Sequence, residues 1–246
     1  KLVKKYINED FDFVVNLGGY INHQLFQDGG HSLIDTHFNM LQNLLKILPR
    51  RNLKCFVQIG SSDEYGNAPA PQNEKLREQS ISPYSLAKVA STHFLQMLYR
   101  TENFPSVTLR LFLTYGPGQD TERFLPQIIK GCLLNKSFHT SAGEQLRDFC
   151  YVGDTVQAII STLQTSNAMG EVINIASGNP ITIRTMIETV QELIDGGYPE
   201  YGKINYRNGE NMSLYASVEK AKSILNWKAE TDLKSGLNST INYYKS

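Results

Sequence analysis

The sequence predicts an α/β fold with a doubly wound parallel sheet. Three observations predict it. Short β-branched apolar runs end in glycine or serine clusters, segments with helical spacing separate them, and both patterns alternate from the first residues onward. Strands joined by helices in this way imply right-handed βαβ units and a sheet covered on both faces.

The elements follow in order. Phe13 to Leu17 is a buried strand stopped by Gly18-Gly19. Leu33, Ile34, Phe38, Leu41, Leu44, Leu45 and Leu48 recur at helical spacing. Leu53 to Ile59 is the next strand, ending in Gly60-Ser61-Ser62. Ser82-Pro83 opens a helix to about Thr101, because serine caps well and a first-turn proline gives up only an orphan donor. Val107 to Leu113 is the third strand. In the second half, Asp154 to Gln157 has the spacing of a capping box for a helix through Leu163, and Val172 to Ala176 is a short strand. Ile183, Met186, Ile187, Val190, Leu193 and Ile194 mark one helical face, closed by Gly196-Gly197. Residues 217–227 form a last short helix, which Asn226 ends in the left-handed conformation.

Composition narrows the function. Hydrophobic residues make up 41% of the 246, enough for a sizeable core. With 24 basic and 24 acidic residues the net charge is zero, so no basic groove for nucleic acid is expected. No apolar run is long enough to span a membrane. Cys55, Cys132 and Cys150 are odd in number, far apart and lack metal-ligand spacing, so the expectation is a reduced, cytoplasmic protein with no metal site.

The sharpest constellation is Ser61 at the end of a strand, then Tyr84 and Lys88 four apart on the next helix. The carboxyl ends of parallel strands face the ligand crevice, and helix residues four apart share a face. An ammonium beside a phenol favours the phenolate. Moving a tyrosine pKa from about 10 to about 7 takes roughly 4 kcal/mol, the order one close cation supplies at an effective dielectric near 20. Tyr84 is then expected as general acid/base, with Ser61 bonding the same substrate oxygen. A Tyr-x-x-x-Lys pair alone arises by chance as a surface aromatic and a solvated charge; its place one helix after Gly-Ser-Ser gives it weight.

FDFVVNLGGY, FVQIGSSDEYG, SPYSLAK, LRLFLTYGPGQ, RDFCYVGD and VINIASG stand in an order that resembles the extended short-chain dehydrogenase/reductases, in the branch of nucleotide-sugar epimerases, dehydratases and reductases. The resemblance implies a Rossmann-type sheet with a smaller C-terminal α/β lobe. It places the dinucleotide-binding part at 1–115, rejoined by about 147–177, and the substrate lobe at 116–146 and 178–246. Ser61, Tyr84 and Lys88 fall on the family's catalytic trio. Leu17, Gly18, Gly19 and Gly60 would line an NAD or NADP cofactor, and Lys88 would hold its nicotinamide ribose. Arg147 and Arg207 match arginines that contact the nucleotide diphosphate, and forked guanidiniums suit a diphosphate. Phe124 and Gln127 lie where the family packs the base, and Ser62 and Asp63 face the sugar. A homodimer through the tyrosine-bearing helix is implied. The family's first strand and its glycine-rich pyrophosphate turn have no counterpart here, so an N-terminal segment is expected before Lys1.

Three departures stand out: Leu113 where the family has a sugar-diphosphate asparagine, His37 where it has another asparagine, and Gly153 for the first Asp of Val-Asp-Asp. Dehydratases of the branch carry Thr-Asp-Glu-hydrophobic-Tyr-Gly. Counting back from Tyr65-Gly66 puts Ser62 at the Asp and Asp63 at the Glu, which removes the elimination acid; a one-residue slide would restore Asp63-Glu64. Glu-Tyr-Gly resembles reductases of nucleotide-linked 4-keto-6-deoxyhexoses, and reduction at C4 is the expectation. A 4-epimerase with retained NAD is the alternative, ahead of a 4,6-dehydratase or a catalytically silent dinucleotide sensor.

Overall fold

The computed structural model describes residues 9–206 and 209–245. Eleven strands are described: β1 (Phe13–Asn16), β2 (Cys55–Ser61), β3 (Ser106–Leu111), β4 (Leu113–Tyr115), β5 (Ser137–His139), β6 (Leu146–Arg147), β7 (Phe149–Tyr151), β8 (Val172–Ile175), β9 (Ile181–Thr182), β10 (Tyr198–Glu200) and β11 (Ser213–Leu214). The main sheet runs β1-β2-β3-β8 and every pair in it is parallel. The helices are α1 (residues 31–47), α2 (Pro83–Glu102), α3 (Phe124–Leu133), α4 (Val152–Leu163), α5 (Ile183–Ile194), α6 (Glu219–Leu225) and α7 (Leu233–Lys245).

Side chains alternate across β2, and each face has its own core. Phe56 points to one side, where Leu41 and Leu45 of α1 meet Leu95 and Leu98 of α2. Cys55 and Val57 point to the other, against Ala158 of α4 and Ala221 of α6. All three cysteines are buried and free. A separate core joins Leu125 and Ile129 of α3, Met186 and Val190 of α5, and Leu237 and Ile241 of α7. Short strands edge this second core: β4 beside β7, β5 beside β10, and β6 between β9 and β11.

Where sequence and structure differ, the reason is local. The strand expected through Leu17 stops at Asn16, whose side chain accepts from the Gly18 amide at 3.1 Å and turns the chain. The run expected through Leu113 breaks after Leu111, and Leu113 restarts as β4 beside Phe149. Asp154 caps nothing. The helix begins at Val152, and the Asp154 carboxylate instead accepts the amides of Glu230 and Thr231 at 3.3 and 3.1 Å, tying down the C-terminal segment. Asn226 ends α6 with φ of 49°, as expected. Helix α7 is absent from the elements read off the sequence, although Leu233, Leu237 and Ile241, each four residues from the last, mark its buried face.

Candidate active site

β2 delivers Ser61 to the carboxyl edge of the sheet, where a turn of 3₁₀ helix, Ser62–Tyr65, begins. A reciprocal cap fixes the junction: the Ser61 hydroxyl accepts from the Asp63 amide at 3.1 Å, and the Glu64 carboxylate accepts from the Ser61 amide at 2.9 Å. A second cap starts α2, where Ser82 and Ser85 exchange bonds of 3.1 and 3.0 Å and Pro83 takes the first position. Tyr84 and Lys88 then stand one above the other on its buried side. The Lys88 ammonium donates to the Ile59 carbonyl at 2.8 Å and lies 5.8 Å from the Tyr84 ring centre.

The structure thus brings Ser61, Tyr84 and Lys88 together, but it corrects the electrostatic expectation. Burial pushes the Tyr84 phenol up to about 12, and the charges of Asp63 and Glu64 add to the rise. The Ser61 hydroxyl and the Arg123 charge oppose it without winning. Lys88 is bound to a carbonyl of β2 and is itself lowered by burial, against the pull of Glu64. In the protein by itself Tyr84 therefore holds its proton at neutral pH.

Two imidazoles flank the phenol. His37 meets the Tyr84 ring edge-on at 5.1 Å and 82°, and His23 meets it at 5.8 Å and 77°. His37 lies within a π-helical turn, Asp35–Asn39, that interrupts α1 and carries it inward; such turns recur at functional sites. Its Nε2 donates to the Tyr20 carbonyl at 2.8 Å, a group that can only accept, so Nδ1 is left as an acceptor. Burial, and next the Lys88 charge, lower its pKa. The sequence marks His37 only as a departure from the family's asparagine; its position opposite Tyr84 depends on the π turn, which has no sequence signature.

Leu17, Gly18 and Gly19 leave the carboxyl end of β1 beside this group. Gly19 has φ of 125°, and a Cβ there would stand 2.2 Å from His37 Cε1, so only glycine lets the backbone cross the imidazole. Leu17 is 70% exposed. Gly60 has a packing reason: a Cβ would come within 2.6 Å of Glu64 Oε1.

The substrate candidates are more scattered. Arg147 is buried in β6, where it donates to the Leu146 carbonyl at 2.8 Å and pairs with Glu210. Next to it Asp148 accepts the Ser177 and Gly178 amides at 2.7 and 3.0 Å, which locks that segment to the end of β8. Arg207 lies outside the described residues. Phe124 is half-buried against the second core, while Gln127 is exposed and bonded to the Glu122 carbonyl at 2.9 Å. Ser62 is buried, and Asp63 faces His23 at 3.7 Å. Leu113 packs into the second core. Arg123, which no motif marked, contributes a positive charge at Tyr84 from the start of α3. Among the described residues no group of three or more His, Cys, Asp or Glu could hold a metal ion, and no helix is long and apolar enough to cross a membrane.

A Ser–Tyr–Lys group at the carboxyl edge of a parallel α/β sheet is the arrangement of an extended short-chain dehydrogenase/reductase. Comparison with known proteins agrees. Residues 1–176 match the NAD dependent epimerase/dehydratase family, and the chain belongs to it. It is 27% identical to a UDP-glucuronate 4-epimerase of Thermodesulfobacterium geofontis over 86% of its own length and 66% of the relative's. It is also 27% identical to dTDP-glucose 4,6-dehydratase 1 of Escherichia coli over 80% of its length and 60% of the relative's. The chain therefore spans about two thirds or less of these two curated relatives. The crystal structure of UDP-glucuronic acid 4-epimerase from Bacillus cereus, in complex with UDP-glucuronic acid and NAD, superposes with a TM-score of 0.87 at 26% identity, covering 99% of this chain and 78% of that one.

Two features of this site fit the nicotinamide end of a dinucleotide. The buried Lys88 ammonium has three donors and gives one to Ile59, and the Gly18–Gly19 backbone runs along the same edge without Cβ atoms.

Proposed function

We propose that the chain carries the proton-handling and sugar-facing parts of an NAD-dependent nucleotide-sugar 4-epimerase. The observation that carries the reading is the buried Ser61–Tyr84–Lys88 group at the sheet edge, in a chain whose similar proteins include 4-epimerases at 26–27% identity. The bound nicotinamide would supply hydride acceptance and return. Lys88 and Leu17–Gly19 would hold its ribose end, while Ser61 would hold the C4 oxygen by a hydrogen bond. With the positive charge of the bound oxidised nicotinamide added to that of Lys88, the Tyr84 phenolate would be favoured; it would take the hydroxyl proton as C4 is oxidised and give it back as C4 is reduced. Arg147 would bind the diphosphate as a buried fork, exchanging Glu210 for phosphate oxygens, with Arg207 as a second contact. Phe124 and Gln127 would border the base, and Ser62 and Asp63 the sugar.

Reduction of a 4-keto-6-deoxyhexose nucleotide, the expectation from Glu-Tyr-Gly, is the second reading. The raised Tyr84 pKa favours it, since a phenol that keeps its proton is ready to protonate the alkoxide made by hydride delivery. Elimination is less well supported. Glu64, which a slid register would put at the motif's Glu, the second elimination carboxylate, is fully buried and engaged by Arg110 and Thr92. We also propose a dimer through α2, where Leu86 and Met97, three turns apart on one face, are 51% and 39% exposed.

A panel of UDP- and dTDP-sugars, followed by nicotinamide absorbance and by NMR of the products, separates the readings. An epimerase interconverts C4 isomers without net change in absorbance. Stoichiometric consumption of reduced dinucleotide would replace it with the reductase, and turnover of none of the panel would defeat both.

A further inference from the structure

Glu64 occupies the place where the resembling dehydratase motif has a hydrophobic residue, yet its side chain is 0% exposed. A buried carboxylate is costly unless every oxygen is engaged. Here Oε1 accepts from the Ser61 amide at 2.9 Å, and Oε2 accepts from Thr92 Oγ1 at 2.8 Å and from Arg110 Nε at 2.8 Å. These partners come from three elements. Ser61 ends β2, Arg110 belongs to β3, and Thr92 is the third member of the Tyr84–Lys88–Thr92 stripe on α2, each four residues from the last. Gly60 leaves the space Oε1 fills. The other arm of Arg110 reaches Glu78 at 2.5 Å, and its guanidinium lies 4.6 Å from the Tyr65 ring centre, so the partner of Glu64 is itself held.

We infer that Glu64 is a positioning residue of this site, a buried carboxylate that ties the Ser61 strand end and the Tyr84–Lys88 helix to the sheet. It touches neither substrate nor cofactor and acts through the residues that do. The inference rests on the proposed acid–base role of Ser61, Tyr84 and Lys88. An ion pair serving the core alone would need no bond to both Ser61 and the catalytic stripe, and Glu64 makes both. Its charge also acts on the site: it favours the ammonium of Lys88 and disfavours the phenolate of Tyr84. The other groups facing Tyr84 are Asp63 beside Glu64, Arg123 at the start of α3, His37 on α1, His23 in the preceding loop, and Lys88 on its own helix.

The test is Glu64→Gln in the full protein, read in two ways. Carbon-13 NMR of ring-labelled tyrosine, with the Tyr84 signal assigned by its loss in Tyr84→Phe, should show Tyr84 titrating lower in Glu64→Gln, toward the ordinary value of about 10. Steady-state kinetics should show kcat down about tenfold to a hundredfold, the scale of a small misplacement of reacting groups, with KM for the sugar nucleotide within about twofold. A folded Glu64→Gln with unchanged Tyr84 titration and unchanged kcat overturns the inference. The titration needs no substrate, so it decides the role of Glu64 even if no sugar nucleotide turns over. Should Glu64→Gln not fold, Thr92 decides. Thr92→Val should slow kcat about tenfold and Thr92→Ser, which keeps the hydroxyl, should restore it; equal rates for the two would overturn the inference.

Discussion

The two halves of the candidate site are built differently. The acid–base half is set by regular elements: a strand end with a reciprocal cap, and a capped helix that presents Tyr84 and Lys88 on one buried face. The half proposed to face the sugar nucleotide is set by two- and three-residue strands and by contacts across long stretches of sequence, such as Arg147 to Glu210 and Asp148 to Ser177. The first half has little freedom to vary without losing its geometry. The second can change partner residues while the fold stays intact, which fits a family that takes several nucleotide sugars on one scaffold.

Substitutions can sharpen that contrast. Lys88→Met, a change in the rigid half, should lower kcat by about a hundredfold to a thousandfold, measured at saturating sugar nucleotide. Arg147→Leu, in the adaptable half, should act on binding. Loss of a charged hydrogen-bonding partner worth about 1.5–3 kcal/mol predicts KM higher by about tenfold to a hundredfold, with kcat within about threefold. A fall in kcat instead would place Arg147 in the chemistry and erase the distinction.

His37 gives a smaller effect, visible in pH. Its folded pKa is lowered below the ordinary 6.5, so its neutral form contributes stability that is present above pH 6.5 and lost as pH falls through the folded value. Thermal unfolding of the protein should therefore show an acid-side loss of stability below pH 6.5 that is reduced in His37→Asn. An identical pH dependence in the variant would contradict the buried neutral imidazole. The smallest effect belongs to Asp154, whose two amide bonds hold the C-terminal segment and which makes none to Ser61, Tyr84 or Lys88. Asp154→Ala should cost about 1–3 kcal/mol, a fall in Tm of several degrees, and leave kcat within about twofold.

The sequence made the rigid half legible because local rules govern it. Ser82-Pro83 announced a helix start, four-residue spacing put Tyr84 and Lys88 on one face, and Gly-Ser-Ser after an apolar run marked a strand end. What it missed needed distance or burial. The sign of the Tyr84 shift turns on how deeply the phenol sits and on Asp63 and Glu64, which spacing cannot weigh. The approach of His37 depends on a π turn, and that of Arg123 on how α3 packs. Asp154 shows the opposite failure: a local pattern matched a capping box, but the helix began three residues earlier, capped at Tyr151, and a long-range contact took the carboxylate.

The central claim is that the Tyr84 hydroxyl carries the proton to and from the sugar oxygen. Tyr84→Phe, assayed on whichever sugar nucleotide the parent turns over, tests it most directly, with dinucleotide affinity followed by fluorescence. Turnover should fall by about a hundredfold to ten thousandfold while affinity stays within about twofold. A variant that turns over within about threefold of the parent would contradict the claim.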